Sequence, residues 1–201
     1  MIFLILIIFF SITFHEFAHG WIANKLGDPT ARDAGRLTLN PIAHIDLVGT
    51  IILPIILLII TKGGFAIGYA KPVPINPYHF RNPKKDIRWV GAAGPSANIL
   101  VAFFLTLLLK LRFLPISDIL IAGIFINLLL AIFNLIPIPP LDGSRILISF
   151  LPPQLAHKYS KIEPYGFIII LFLFLTGVFH WLIVPIVMLI LHYIFQIQVT
   201  L

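Results

Sequence analysis

The sequence contains no cysteine, and only 11% of its 201 residues are charged. Without cysteine no disulfide framework can form, and any metal site must use histidine, carboxylate or water ligands. Acidic residues are the scarcest, with 8 Asp and Glu against 14 Lys and Arg, so the net charge is +6. This basic surplus does not indicate nucleic acid as a partner, because the Lys and Arg residues lie in connectors between apolar runs.

Apolar residues are abundant. They make up 59% of the chain, and the mean hydropathy is +1.03. These values predict a polytopic membrane protein. Runs long enough to cross a bilayer occupy residues 1–26, about 88–112, about 118–136 and, as a hairpin of two short spans, about 165–199. Residues 47–61 are also apolar, but they are short for a span and contain Pro54.

Two connectors carry strand-like patterns. Residues 36–40 alternate polar and apolar side chains. Residues 70–77 have proline at alternate positions, which suits an extended strand edge or a polyproline stretch rather than a helix. The expected fold is therefore an all-α polytopic membrane protein. It has about five to six transmembrane or re-entrant helices, with short β-strands on the cytoplasmic side.

Residues 15–19 read His-Glu-Phe-Ala-His and lie inside the first apolar run. On a helix, His15 and His19 are four residues apart and so share one face, with Glu16 beside them. Two imidazoles can bind a metal while the carboxylate faces a metal-bound water, as in zinc hydrolases. Polar residues at this depth cost several kcal/mol unless they face a partner or a wet cavity, which favours a functional role.

An open catalytic zinc site needs a third protein ligand, and Asp142 is the best candidate by its environment. It follows a run in which three prolines, at 137, 139 and 140, end the third span and turn the backbone. Irregular backbone at membrane depth survives only where it is buried or lines a cavity. Asp142 is therefore expected to face such a cavity.

Three motifs together resemble one known family. HExxH lies in the first span, Gly-Pro-x-x-Asn at 94–98 in a middle span, and NxxPxPxLDG at 134–143. The chain resembles the site-2 protease family of intramembrane zinc metalloproteases, peptidase family M50, over roughly residues 8–150. The resemblance implies one Zn²⁺ per chain, held by His15, His19 and Asp142, with Glu16 as general base. It also implies that Asn134 and the proline-rich loop contact the substrate backbone.

The same resemblance implies a function and an organisation. A single intramembrane metalloprotease domain, residues 1–201, would have a catalytic core at about 1–150 and a C-terminal helical hairpin at about 165–199, without PDZ or CBS domains. It would hydrolyse peptide bonds in or near the transmembrane segments of single-pass membrane protein substrates within the lipid bilayer. We expect a multi-pass protein of the cell membrane, with its active site towards the cytoplasmic half.

Shared metal ligation constrains the topology. His15, His19 and Asp142 can hold one metal only if their depths agree, so residues 27–87 must begin and end on one side of the membrane. A single crossing at 47–61 would violate this condition. We therefore expect that segment to be re-entrant or to lie beside the bundle.

Several assignments stay open from sequence alone. The donor to a tetrahedral oxyanion could be Asn98, Asn134 or His44. His44 and Asp46 form either a helix cap or a pair near a metal. The alternative functions are a catalytically silent membrane adaptor and a metal transporter; an intact Glu16 argues against the first, and ligands collected at one depth argue against the second.

Overall fold

The computed structural model describes residues 2–63, 68–111 and 116–197. Residue 1 of the first predicted span, residue 112 of the second and residues 198–199 of the predicted hairpin lie outside these ranges. The α-helices are α1 (Ile2–Lys25), α2 (Thr30–Asp33), α3 (Leu53–Ile60), α4 (Pro83–Leu111), α5 (Ser117–Asn134), α6 (Asp142–Phe150), α7 (Pro153–Ser160), α8 (Glu163–Leu175) and α9 (Val178–Tyr193). A π-helix, Leu47–Ile52, continues into α3, and short 3₁₀ turns cover Pro41–His44 and Pro77–His79.

Three of the described helices, α1, α4 and α5, are long and apolar enough to cross a membrane. α1 ends at Lys25 because Gly27 adopts φ +109°, a left-handed conformation that suits glycine. α4 begins with a reciprocal cap: the Asn82 side chain accepts a hydrogen bond from Lys85 N–H, and the Asp86 carboxylate accepts one from Asn82 N–H. α1 and α5 both pack against α4, which makes α4 the centre of the bundle.

The C-terminal helices α8 and α9 bend by 79° at Gly177, instead of reversing as an antiparallel hairpin would. Buried side chains of α9, including Val187 and Leu191, pack with Ile124 and Leu128 of α5. Counted as one bent span, the pair raises the number of candidate spans from three to four. Adding the short apolar helix Leu47–Ile60 gives five helices, and counting α8 and α9 separately as well gives six.

The expected β-strands on the cytoplasmic side are wrong. No strand is present in residues 2–63, 68–111 or 116–197. At 36–40, local side-chain hydrogen bonds replace a ladder, since Asn40 N–H donates to Thr38 Oγ1 and the Asn40 side chain accepts from Ile42 N–H. At 70–76, Pro72 and Pro74 lack N–H groups, and the N–H groups of Val73 and Asn76 donate to side-chain carboxylates instead of a neighbouring strand.

The chain that follows α3 returns to the beginning of the short apolar helix. Tyr69 N–H donates to Gly49 O, and Lys71 N–H donates to His44 O. Helix Leu47–Ile60 has 14 residues and so rises about 20 Å, less than the roughly 30 Å of a bilayer core. These two bonds join the chain after this helix to its first turn and to His44 before it, and the helix lines one cavity together with Ile8 and Ile12 of α1. That the segment is re-entrant stays a prediction.

Candidate metal centre

Three potential metal ligands meet where α1 faces the N-terminus of α6. His15 Nε2 lies 3.0 Å from His19 Nε2, and Asp142 Oδ2 lies 3.0 Å from the first nitrogen and 3.1 Å from the second. All three residues are buried. Among the described residues, this is the one group of three or more His, Cys, Asp or Glu side chains placed to hold a metal ion.

The outer nitrogen of each imidazole fixes its tautomer. His15 Nδ1–H donates to Asn98 Oδ1 and His19 Nδ1–H donates to Val90 O, both at 2.7 Å. A carbonyl oxygen only accepts, so in each neutral imidazole Nε2 is the nitrogen that keeps its lone pair. Two nitrogen lone pairs and a carboxylate oxygen then converge on one point, an arrangement that a bound cation would satisfy. The donor set suits Zn²⁺ with one open position.

A polar network holds His15 from behind. Asn98, which is fully buried, donates from Nδ2 to Ser11 O at 3.1 Å and to Asn127 Oδ1 at 2.9 Å. Asn127 in turn donates to Ser11 Oγ and to Gly123 O. The network joins α1, α4 and α5 inside the membrane bundle, where each polar group must find a partner.

Glycines of α4 leave room for the ligands. A Cβ atom at Gly94 would lie 2.4 Å from His19 Nε2 and 2.5 Å from His15 Nε2, closer than side chains come. One turn earlier, a Cβ at Gly91 would lie 3.0 Å from Asp142 O. The small-residue element of the second span therefore lets α4 approach both α1 and α6.

The loop before Asp142 is held from the side of α7 and α8. Tyr159 O–H donates to Pro137 O at 2.6 Å, and burial raises the pKa of this phenol, so the donor keeps its proton. Gly166 of α8 packs directly against Pro139, where an added Cβ would lie 1.7 Å from the carbonyl oxygen. These contacts set the position from which α6 presents Asp142.

Glu16 faces a small cavity of about 110 Å³ beside the three ligands. One side of the cavity is formed by residues 71–76, called here the wall segment, through Pro72, Val73 and Ile75. The Val73 backbone N–H donates to Glu16 Oε2 at 2.8 Å. Glu16 Oε1 is therefore the oxygen that remains for a water in the cavity.

The structure places the three candidate oxyanion donors differently. Asn134 lines the cavity and uses one Nδ2 hydrogen on Leu130 O, so it keeps further hydrogen-bonding capacity. Asn98 lies behind His15 with both Nδ2 hydrogens used. His44 lines a separate cavity and its Nε2–H donates to Thr38 O, while the neighbouring Asp46 caps the π-helix through Val48 and Gly49 N–H.

Sequence reasoning missed Ser11 and Asn127 and the contact of the wall segment with Glu16. The signal for the first two was present, because polar side chains inside apolar spans need partners. It also missed Arg145, which lines the cavity three residues after Asp142. No local pattern identifies the Val73 contact, which joins residues 57 positions apart.

Comparison with known proteins gives a consistent picture. A sequence model of Peptidase family M50 matches residues 110–178. Putative zinc metalloprotease YwhC of Bacillus subtilis is 41% identical over 187 residues, covering 88% of this chain and 81% of that protein. Putative zinc metalloprotease Rip2 of Mycobacterium tuberculosis is 30% identical over 184 residues, covering 86% and 69%. No solved structure matches the chain.

Proposed function

The chain belongs to peptidase family M50, the site-2 protease family, and from that premise we propose that it is a zinc endopeptidase acting within the membrane. It hydrolyses peptide bonds in or near transmembrane segments of single-pass membrane proteins. One observation carries the proposal: His15, His19 and Asp142 converge at 3.0–3.1 Å between candidate ligand atoms, with Glu16 beside them in a cavity between membrane helices.

The residues divide the chemistry between them. His15 Nε2, His19 Nε2 and Asp142 Oδ2 would hold the ion. A bound zinc ion would lower the pKa of a water molecule and polarise the substrate carbonyl. Glu16 takes the proton of the attacking water at Oε1 and delivers it to the leaving nitrogen. Asn134 and Arg145 line the same cavity and provide N–H donors for the developing oxyanion.

Access to this site restricts the substrate. A cavity of about 110 Å³ has no room for a helix about 10 Å across, and the carbonyls of an intact helix are already hydrogen-bonded. The substrate segment therefore unwinds before cleavage. Helix-destabilising residues near the scissile bond are expected to promote this step.

The orientation proposed for the active site is towards the cytoplasm. Basic residues cluster at the end where α1 stops and α4 starts, the end nearer to the ligands, and Lys110 lies at the other end of α4. The clustered residues are Lys25, Arg32, Arg36, Lys71, Arg81, Lys84, Lys85 and Arg88. Cytoplasmic segments of membrane proteins carry this excess.

A metal transporter would need ligands along a path. In the part of the chain that the structure describes, the His15, His19 and Asp142 group is the one such cluster, and helices cover it on several sides. A single closed position favours a resident ion over a transported one.

The test compares zinc content and cleavage in purified, detergent-solubilised protein. The substrates are single-span proteins with and without a helix-breaking residue near the scissile bond. Wild type is expected to hold one zinc and to cleave the destabilised substrate. Glu16→Gln is expected to keep zinc and lose cleavage, and Asp142→Ala to lose much of both. If the wild type binds zinc but cleaves no substrate, the proposed peptidase function is wrong.

A further inference from the structure

The wall segment, residues 71–76, is held by two carboxylates from the same stretch of chain. At one position, Val73 N–H donates to Glu16 Oε2 at 2.8 Å. Three residues later, Asn76 N–H donates to Asp28 Oδ2 at 2.7 Å. Glu16 lies in α1 and Asp28 follows its end, so two acids flank one short extended segment.

Asp28 has the properties of an anchor. Its side chain is fully buried. Besides Asn76 N–H, it accepts hydrogen bonds at Oδ1 from Thr30 N–H at 3.1 Å, from the Thr30 hydroxyl and from His79 Nδ1–H at 3.0 Å. Burial alone would raise the pKa of Asp28, but these donors outweigh it and hold the pKa below its usual value. The group is therefore an anion at neutral pH.

Between the two carboxylates, the wall segment has little freedom. Pro74 fixes one φ angle, and Ile75 packs against the buried cluster of Ala23, Phe80 and Val90. The Val73 side chain is 5% exposed and lies over Gly20, where an added Cβ would be 3.1 Å from Val73 Cγ1. A displacement at Asn76 is consequently transmitted to Val73, the residue that binds Glu16.

We propose that Asp28 is a positioning residue for Glu16: by fixing Asn76 it holds the wall segment so that Val73 N–H binds Glu16 Oε2. This role rests on the peptidase function proposed above. The Val73 N–H satisfies one carboxylate oxygen with a hydrogen bond and restricts the rotamer of Glu16, which leaves Oε1 for a water in the cavity. Without Asp28, Glu16 would stay beside the ligands, which Asp28 does not touch, but would lose its fixed orientation.

The first measurement needs no activity. Because the chain has no cysteine, Val73→Cys creates a unique thiol at a buried position of the wall segment and keeps the backbone N–H that binds Glu16. Its rate of reaction with a maleimide in detergent reports how often the segment leaves its place. In Asp28→Asn an amide N–H replaces an oxygen that accepts hydrogen bonds from N–H donors such as Asn76. The wall segment is then held less firmly, and we expect the labelling rate to rise about tenfold. Tyr78→Cys, at a position 93% exposed, provides the reference rate in both backgrounds.

The second measurement uses the cysteine-free chain. Asp28→Asn is expected to lower kcat about tenfold with one zinc per chain retained, and Asp28→Glu to recover part of the loss because it restores a carboxylate. Asp33→Asn is the matched control: Asp33 lies in the same connector, is exposed and pairs with Arg32, so neither labelling nor kcat should change. If Asp28→Asn does not fold, Thr30→Val removes one donor to Asp28 and should act in the same direction more weakly.

The outcomes separate the two proposals. Faster labelling, lower kcat, unchanged zinc and recovery in Asp28→Glu support the role of Asp28. Equal labelling of Val73→Cys with and without the Asp28→Asn change overturns it, as does faster labelling with kcat unchanged. A wild-type protein that holds zinc but cleaves no substrate overturns the peptidase instead, and the labelling comparison still decides whether Asp28 holds the wall segment.

Discussion

The two sides of the proposed active-site cavity are built in different ways. The candidate metal ligands lie on helices α1 and α6, which pack against α4, and the outer nitrogens of His15 and His19 are bonded to buried atoms of α4. The opposite side is the wall segment, which has no regular structure. It is held by the N–H groups of Lys71, Val73 and Asn76, which donate to His44 O, Glu16 and Asp28 in that order. Ligands need fixed positions, whereas a segment beside the substrate must yield when the substrate enters.

This difference predicts that changes on the helical side act on metal binding, while changes on the wall side act on turnover or stability with the metal retained. Zinc content and cleavage measured together therefore tell the two sides apart. A variant of the wall segment that loses zinc, or a change at Gly94 or Asn98 that leaves zinc binding unaltered, would break the comparison.

The largest effect is expected at Gly94. In Gly94→Ala the new methyl group would lie within 2.5 Å of both Nε2 atoms, so the imidazoles must turn away and the ligand set is lost. We expect zinc below about one tenth per chain by elemental analysis and no cleavage. Ser96→Ala, an exposed position two residues later on α4, should bind zinc as wild type does. Full zinc occupancy in Gly94→Ala would show that α4 does not pack against the imidazoles in this way.

A smaller but clear effect is expected one turn along α4. Asn98→Leu removes the acceptor of His15 Nδ1–H and leaves Asn127 with an unpaired oxygen. Loss of such a partner of a ligating histidine typically lowers metal affinity about 10–100-fold, measurable by chelator competition. Thr106→Val is the control, because Thr106 is buried in α4 but bonds only to Ala102 O of its own helix. An unchanged metal affinity in Asn98→Leu would show that the hydrogen-bond network does not contribute to metal binding.

The helical side was largely predictable from sequence. His15 and His19 follow from helical spacing, and the prolines before Asp142 marked an irregular turn at the depth of the two histidines. The bundle follows from the long apolar runs, which leave few alternatives in a bilayer. What the pattern did not reveal was which polar residues pair, because the Asn98 and Asn127 contact joins helices whose rotation is set by packing.

The wall side was not predictable in the same way. Alternating residues at 36–40 and 70–76 favoured strands, but a strand needs a partner whose donors and acceptors match along its length. In the wall segment the Val73 and Asn76 donors meet carboxylates 57 and 48 positions away, and the prolines at 72 and 74 offer none. Extended chain with side-chain partners has the same local pattern as a strand, so only the tertiary structure distinguishes them.

A third test asks how much the loop before Asp142 contributes to zinc affinity. Tyr159→Phe removes the hydrogen bond to Pro137 O and leaves Asp142 and α6 unchanged. A bond of this kind contributes about 1 kcal/mol, so zinc affinity should fall by at most about fivefold. The fall should be much smaller than in Asn98→Leu, because the loop retains its close packing against Gly166. A larger loss in Tyr159→Phe would mean that the loop, rather than the helices, sets the position of Asp142.

The smallest effect concerns pH and the wall side. Because the folded-state pKa of Asp28 is lowered, its contribution to stability is present above the unfolded value near 4 and is lost as pH falls through the lower folded value. The difference in unfolding temperature between wild type and Asp28→Asn should thus stay constant, at about 2–4 °C, from pH 7 to pH 5 and shrink only below about pH 4. The comparison is made with His79→Asn present in both proteins, because an asparagine amide can replace the Nδ1–H donor and has no charge that changes with pH. A difference that already declines between pH 7 and pH 5 would mean that the Asp28 carboxylate is not held as an anion, and the wall segment would need another anchor.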